Sequence, residues 1–273
     1  MSTKGVRDRR RIFYSVTLVF IILIGLVALL RLPLYLFLAS MVLYLLFIVV
    51  AVFAQNTALF VPIFLPDPSV GRVVALTFDD GPHPDNTPKV LRILQTYRTK
   101  ATFFFVGRNV EKYPELVIEI DRAGHQIANH TFNHPSLINF YSKKRLKKEM
   151  LKGQESIYSV IHKRPKFFRQ VAGIVNIQLG KFVDNLGLVL VGWDVSPGDI
   201  RERRPDRIIK RVVGGVRNGS IILMHDGAEP WVAGREAIIS ETLPAIIEGI
   251  KNRGFGFATV EELYKRHVDH CDL

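Results

Sequence analysis

The chain has 273 residues, 48% of them hydrophobic, and a positive mean hydropathy. That length allows one or two domains, and the single cysteine, Cys271, excludes an intramolecular disulfide. The formal net charge is +12, of which +5 lies at or before Arg31 and +7 beyond it; such a surface suits anionic lipid, anionic envelope polymer or nucleic acid, and no nucleic-acid-binding motif is present.

The first elements are apolar. Ile12 to Leu30 carries no charge, and neither does Leu32 to Pro66. The first stretch approaches the ~20 residues that a helix needs to cross a bilayer core. The second predicts another span over about Leu34 to Ala54. Arg31-Leu32-Pro33 reads as the connector, because proline breaks the helix. Lys4, Arg7, Arg9, Arg10 and Arg11 stand against Asp8 alone, which puts the N-terminus on the cytoplasmic side. The apolar region is much longer than the ~7–15 residues of a signal-peptide core, so it reads as a retained anchor of an integral membrane protein. Two spans would return the rest of the chain to the cytoplasm, and one would leave it outside. Residues 1–66 are therefore read as the membrane region, 67–72 as a Pro/Gly/Ser linker and 73–273 as a separate folded domain.

From Arg72 onward, short apolar runs alternate with amphipathic stretches. The predicted strands are 73–78, 101–106, 125–129, 166–169, 188–193, 220–225 and 256–260. Helices are predicted near Pro88–Tyr97, Val110–Ala123, Lys143–His162, Ile177–Asn185, Asp206–Val216 and Ile238–Lys251. The basic run Tyr141–Gly153, which leads into the third of these, reads as a solvated helix face. Alternating strands and helices imply an α/β fold with a parallel sheet, here a distorted, shortened β/α barrel of about seven strands. An open doubly wound sheet is the alternative, weakened by the lack of a GxGxxG after the first strand.

In such folds chemistry collects at the C-terminal ends of strands. The predicted strands end, in order, at Asp79-Asp80, at His130 and His134, at Arg169, at Trp193-Asp194 with Asp199 beyond, and at His225-Asp226. Two imidazoles and a carboxylate make a common site for zinc or a similar divalent ion with positions left open. His83 and His125 are read as non-ligands, and Trp193 as core. Glu229 and Trp231 are candidates for substrate contact in the loop after the sixth strand.

Taken together, these residues resemble the polysaccharide deacetylase family (NodB homology, carbohydrate esterase family 4) over roughly Arg72 to Tyr264. "TFDDGP" at 77–82 carries the first motif, "HTFNHP" at 130–135 the second, "FRQVAG" at 168–173 the third, "WDVSPGDI" at 193–200 the fourth and "LMH" at 223–225 the fifth. The departures are Gln170, Val171 and Ala172 in the third motif and Ile200 in the fourth, where a tryptophan usually stands. An isoleucine cannot offer the flat ring that stacks on sugars.

The resemblance implies metal-assisted hydrolysis of an N-acetyl group on an amino sugar. Asp80, His130 and His134 would hold a divalent ion, zinc first, with cobalt, nickel or manganese as alternatives. Asp79 would be the general base and Arg169 its partner. His225 would be the general acid, oriented by Asp199, with Asp194 and Asp226 as substitutes for that carboxylate. The Ala172 N–H would hold the oxyanion, and Leu223 would line the acetyl pocket. The implied partners are an acetylated amino-sugar glycan or lipid-linked sugar and membrane lipid, without nucleic acid and with the oligomeric state open. Two alternatives stay open: deformylation or another deacylation of a lipid-linked amino sugar, and a catalytically silent carbohydrate-binding protein.

Overall fold

A computed structural model describes residues 3–53, 62–173, 177–199, 201–227 and 237–271. Helix α1 (Thr3–Leu29) and helix α2 (Leu34–Phe53) lie side by side as a hairpin, joined by the connector at Arg31–Pro33. Phe13 and Phe20 of α1 stack on Phe47 of α2 at 5.5 and 6.0 Å, Tyr44 joins them, and many of the remaining large side chains, such as Leu18, Ile22, Leu38 and Leu45, stay exposed. Among the described residues one stretch, Arg11–Leu29, is long and apolar enough to cross a membrane; Leu34–Val49 is a shorter apolar run.

The remaining chain folds as one parallel sheet with helices outside. Its strands are β1 (Ile63–Phe64), β2 (Val73–Asp79), β3 (Thr102–Phe105), β4 (Gln126–Asn129), β5 (Phe167–Phe168), β6 (Val189–Val191), β7 (Ile221–His225) and β8 (Gly256–Phe257). The order is β1-β6-β5-β4-β3-β2-β7, with β8 pairing separately with β2. The sheet curls far enough for Val195, just past β6, to make a parallel bridge to Ile222 of β7. The result is the distorted, shortened barrel expected from the strand–helix alternation.

All seven predicted strands are present, most of them shorter than their apolar runs. β1 was not foreseen: Ile63 and Phe64 pair with Leu190 and Val191, although sequence alone leaves them in the apolar N-terminal region. A two-residue strand has too little length to show a period.

The helices of this part are α3 (Asn86–Thr96), α4 (Gly107–Lys112), α5 (Pro114–Arg122), α6 (Lys143–Ile161), α7 (Ile177–Asn185), α8 (Pro205–Gly215), α9 (Ala237–Asn252) and α10 (Val260–Cys271). The single helix expected over 110–123 is two. Pro114 drives Tyr113 out of helical angles (φ −132°, ψ 56°) and itself takes the first position of α5. The end of the last predicted strand also differs, since Val260 opens α10. Thr259 and Glu262 form a capping box there: Glu262 Oε2 accepts from the Thr259 N–H at 2.6 Å, and Thr259 Oγ1 accepts from the Glu262 N–H at 3.3 Å. That T-x-x-E signal was available in the sequence.

Strand alternation sorts the side chains into two faces. Val74, Leu76 and Phe78 pack outward with α3, α8 and α9 in the largest apolar cluster. The inner face starts apolar, with Ala75, Phe104, Ala128, Phe167, Val191 and Ile221 gathered beneath Ala258, Val260 and Leu263 at the start of α10. Two residues further along β2, β5 and β7 the same face turns polar or functional: Thr77 and then Asp79, Arg169, and Leu223 and then His225. A third cluster, containing Ile63, Ile138, Leu146, Phe168, Leu179 and Leu190, packs α6 and α7 on the sheet and also takes up Phe13 of α1.

Candidate active site

Asp79 and His225 are register partners at the ends of the adjacent strands β2 and β7. His130 follows the last residue of β4, and Arg169 follows the last residue of β5; those last residues, Asn129 and Phe168, are themselves partners. The register thus brings four predicted residues to one rim.

Arg169 is wholly buried and held from every side. Its Nη1 donates to Asp79 Oδ1 at 2.7 Å and to Thr77 Oγ1 at 2.6 Å. Its Nε and Nη2 point to the carbonyls of Val191 and Gly192 at 3.4 Å, and its guanidinium lies 4.0 Å from the Phe104 ring centre. Burial pulls its pKa down, and the charge and hydrogen bond of Asp79 pull it up. Thr77 hands the network on, donating to the Ile222 carbonyl at 2.7 Å.

Asp80, His130 and His134 form a cluster whose donor atoms all lie within 4.8 Å of one another. Asp80 Oδ1 is 3.4 Å from His130 Nε2 and 3.2 Å from His134 Nε2, and it is buried without a hydrogen bond. His130 Nδ1 lies 2.8 Å from the Arg169 carbonyl, which can only accept. Nδ1 therefore donates to that carbonyl, which leaves Nε2 to face Asp80. An orphaned carboxylate oxygen facing two imidazole nitrogens, one with its tautomer set from behind, is a donor set that could hold a divalent metal ion. Burial opposes ionisation of Asp80, but the imidazoles of His130, His225 and His134 around it outweigh that and hold the carboxyl below its usual range.

The backbone at this cluster is strained. Asp80, Thr131, His134 and Ala172 all have positive φ (74°, 70°, 51° and 54°). The strain is held by contacts that sequence reading did not anticipate. Asn109 Nδ2 donates to the Asp80 carbonyl at 2.9 Å, and Thr131 Oγ1 accepts from the His134 N–H at 3.1 Å. Buried Glu149 of α6 accepts from the Asn133 N–H at 2.9 Å and from its Nδ2 at 2.8 Å. A carboxylate inside a lysine-rich helix was the one available signal for Glu149.

Asp199, rather than Asp194 or Asp226, partners His225. Its Oδ1 is 3.0 Å from His225 Nδ1, and its Oδ2 accepts from the His225 N–H at 3.0 Å. Burial disfavours charge on the ring, but Asp199 first, then Asp80 and Asp79, push its pKa up to about 10. Asp194 instead anchors the start of β7, accepting from the Ile221 N–H at 2.9 Å and from Ser220 Oγ at 2.8 Å. Asp226 faces Thr87, whose Oγ1 donates to it at 2.5 Å; burial, with the charges of Asp80 and Asp79, raises it to about 7 against that bond.

Leu223 lies on the inner face of β7, opposite Thr77 and two residues before His225. Ala172 is exposed in the tight turn after β5. Trp193 is half-buried against the inner cluster and 5.5 Å from the Arg169 guanidinium. His83 accepts from its own turn, the Asp85 and Asn86 N–H groups. His125 sits at the opposite end of the strands, accepting from the Ala101 N–H, with its pKa pushed down to about 4 by burial and Lys100. Ile200, Glu229 and Trp231 lie outside the described residues.

The sequence profile described as polysaccharide deacetylase matches residues 67–191. A peptidoglycan-N-acetylglucosamine deacetylase of Bacillus cereus is 34% identical over 200 residues, which is 72% of this chain and 91% of that protein. The chain belongs to the polysaccharide deacetylase family. A chitooligosaccharide deacetylase of Azorhizobium caulinodans is 34% identical over 189 residues, covering 67% of this chain and 90% of the relative. Among solved structures, the peptidoglycan N-acetylglucosamine deacetylase Bc1960 matches with a TM-score of 0.69 and 32% identity over 73% of this chain and 91% of that one. At the rim where its fold gathers them, the chain holds the Asp79–Arg169 pair, the His225–Asp199 pair and a cluster that could bind a metal ion.

Proposed function

We propose that this polysaccharide deacetylase is a membrane-anchored, metal-dependent hydrolase that removes N-acetyl groups from the amino sugars of a cell-envelope glycan. The observation that carries the reading is the convergence, on one barrel rim, of a buried Asp79–Arg169 pair, the Asp80/His130/His134 cluster and the His225–Asp199 pair.

Asp80, His130 and His134 would hold the ion, and two imidazoles with one carboxylate suit zinc. When bound, such an ion supplies Lewis acidity to the amide carbonyl and to the attacking water. Asp79 takes the proton of that water, aimed by its hydrogen-bonded pairing with Arg169. Protonated His225 gives its proton to the leaving amine, while Asp199 fixes its ring and stabilises its charge. The Ala172 N–H supports the oxyanion, and a backbone donor survives the change of side chain in the third motif. Leu223 lines the pocket for the acetyl methyl group.

A second reading of the substrate has its own observation. Phe13, near the basic end of α1, packs into the α6–α7 cluster and stacks on Phe47 of α2. If both helices cross, the β/α domain shares the side of the basic N-terminus, and a lipid-linked acetylated amino sugar at the cytoplasmic face becomes the substrate. An acetate-release screen decides between them. Chitooligosaccharides, peptidoglycan fragments and polyprenyl-linked amino sugars are assayed alongside bound metal. Metal without acetate release from any of them would replace the enzyme reading with that of a carbohydrate binder.

A further inference from the structure

The strip of chain that follows the metal cluster is built unlike the rest of the surface. Three residues after His134, Leu137 is 65% exposed, and Phe140 is 86% exposed; no other large apolar side chain outside the α1–α2 hairpin is as exposed among the described residues. Immediately after them α6 begins, with Lys143, Lys144, Arg145, Lys147 and Lys148 all exposed. No acid stands in its first turn. The nearest one, Glu149, is turned inward onto Asn133 and neutralises none of them. Cations at this end of a helix oppose its macrodipole, so the run works against the stability of α6 unless an anion lies beside it. Arg145 also stacks on Tyr141 at 3.6 Å, joining the charged and apolar parts of the strip.

The strip is continuous with the anchor. Ile138 and Leu146, the inward-facing residues of the same segment, belong to the cluster that takes up Phe13, two residues into the membrane-length stretch Arg11–Leu29. We infer that the β/α domain docks on the bilayer that holds α1, with Leu137 and Phe140 entering the headgroup region and the five cations of α6 meeting anionic lipid headgroups. Exposed apolar side chains beside basic residues are the chemistry of an interfacial contact. Docking would hold the mouth of the active site, whose His134 is three residues from Leu137, along the membrane surface, where acetylated amino sugars carried by lipid are presented. The inference rests on α1 being a membrane anchor.

The full-length chain in lipid nanodiscs tests it. Phe140→Cys in a Cys271→Ser background carries a nitroxide label, and Ile22→Cys on α1 serves as a second label site. Collisions with oxygen and with a nickel chelate report immersion. In phosphatidylcholine discs containing about 30% phosphatidylglycerol, the label at 140 should lose nickel accessibility and gain oxygen accessibility. Joint Lys143→Glu, Lys144→Glu and Lys147→Glu replacement should return it to water while acetate release from a soluble chitooligosaccharide stays unchanged. A label at 140 that stays aqueous while the label at 22 is immersed overturns docking and leaves the anchor standing. An aqueous label at 22 overturns the anchor and the docking with it. Equal immersion at 140 in pure phosphatidylcholine, or in the charge-reversed chain, overturns the role of anionic headgroups.

Discussion

Asp79 and Asp80 are consecutive, yet they meet different partners. Asp79 faces a buried guanidinium at 2.7 Å, and Asp80 faces two imidazoles at 3.2 and 3.4 Å. Adjacent residues at a strand end diverge, so the two carboxylates need not share one position. Asp79→Asn should therefore keep bound metal at the wild-type level and lower acetate release by about 10²–10⁴-fold, the usual worth of a general base. Near-normal turnover in that variant would refute the assignment. His225 carries a pH prediction. Its pKa is raised from 6.5 to about 10, because the carboxylates, Asp199 foremost, overcome the burial that opposes its charge. A group raised on folding contributes stability that is complete below its unfolded value and is lost as pH climbs through the folded one. In the metal-free chain that window runs from about 6.5 to about 10. Asp199→Asn removes the leading raising influence, so both the stability loss and the alkaline limb of kcat should move to lower pH. An NMR titration of His225 and a pH–rate profile measure the two.

At the scale of elements, the Asp80/His130/His134 cluster depends on how closely α4 and α6 approach the loop after β4. A Cβ at Gly153 would meet Asn129 Oδ1 at 2.5 Å and the Thr131 carbonyl at 2.8 Å, and one at Gly107 would meet the Gly153 Cα at 2.9 Å. Thr131 and His134 are among the strained residues of this loop, so pressure there bears on the cluster itself. Gly153→Ala should destabilise the chain by about 1–3 kcal/mol through overpacking, read from thermal or denaturant unfolding. It should also weaken metal binding by about 10–100-fold in a chelator competition, as changes behind a metal ligand do. Unchanged affinity would mean that α6 supports the fold alone. The turn after β5 is a different case. Val171 and Gln170 are buried while Ala172 is exposed with positive φ, so the altered third motif keeps a tight turn on other side chains.

On the scale of the molecule, α1 and the barrel meet at Phe13. The chain should sediment with membranes, resist extraction by high salt or alkaline carbonate, and be released by detergent. Release by salt alone would reduce the hairpin to a peripheral attachment. Protease accessibility of a C-terminal tag in intact cells then reports the side of the β/α domain. Protection agrees with two crossings and a cytoplasmic domain, and cleavage agrees with one crossing.

Much of this was legible in the chain itself. Near-continuous apolar strands such as 73–78 declare burial on both faces, and the polar residues that end them mark the candidate rim, because parallel α/β folds gather chemistry at that end. The motif residues Asp79, Asp80, His130, His134, Arg169, Asp199 and His225 were all named from spacing and resemblance. Other features needed the third dimension. β1 is two residues long, and the choice of Asp199 over Asp194 and Asp226 depends on which carboxylate the curled sheet carries to the His225 ring. Thr77, Asn109 and Glu149 bear on the site through contacts spanning from 16 to 92 residues of sequence. Local pattern records what each residue prefers. Which distant polar groups meet is decided by sheet register and helix approach, which no window of sequence contains.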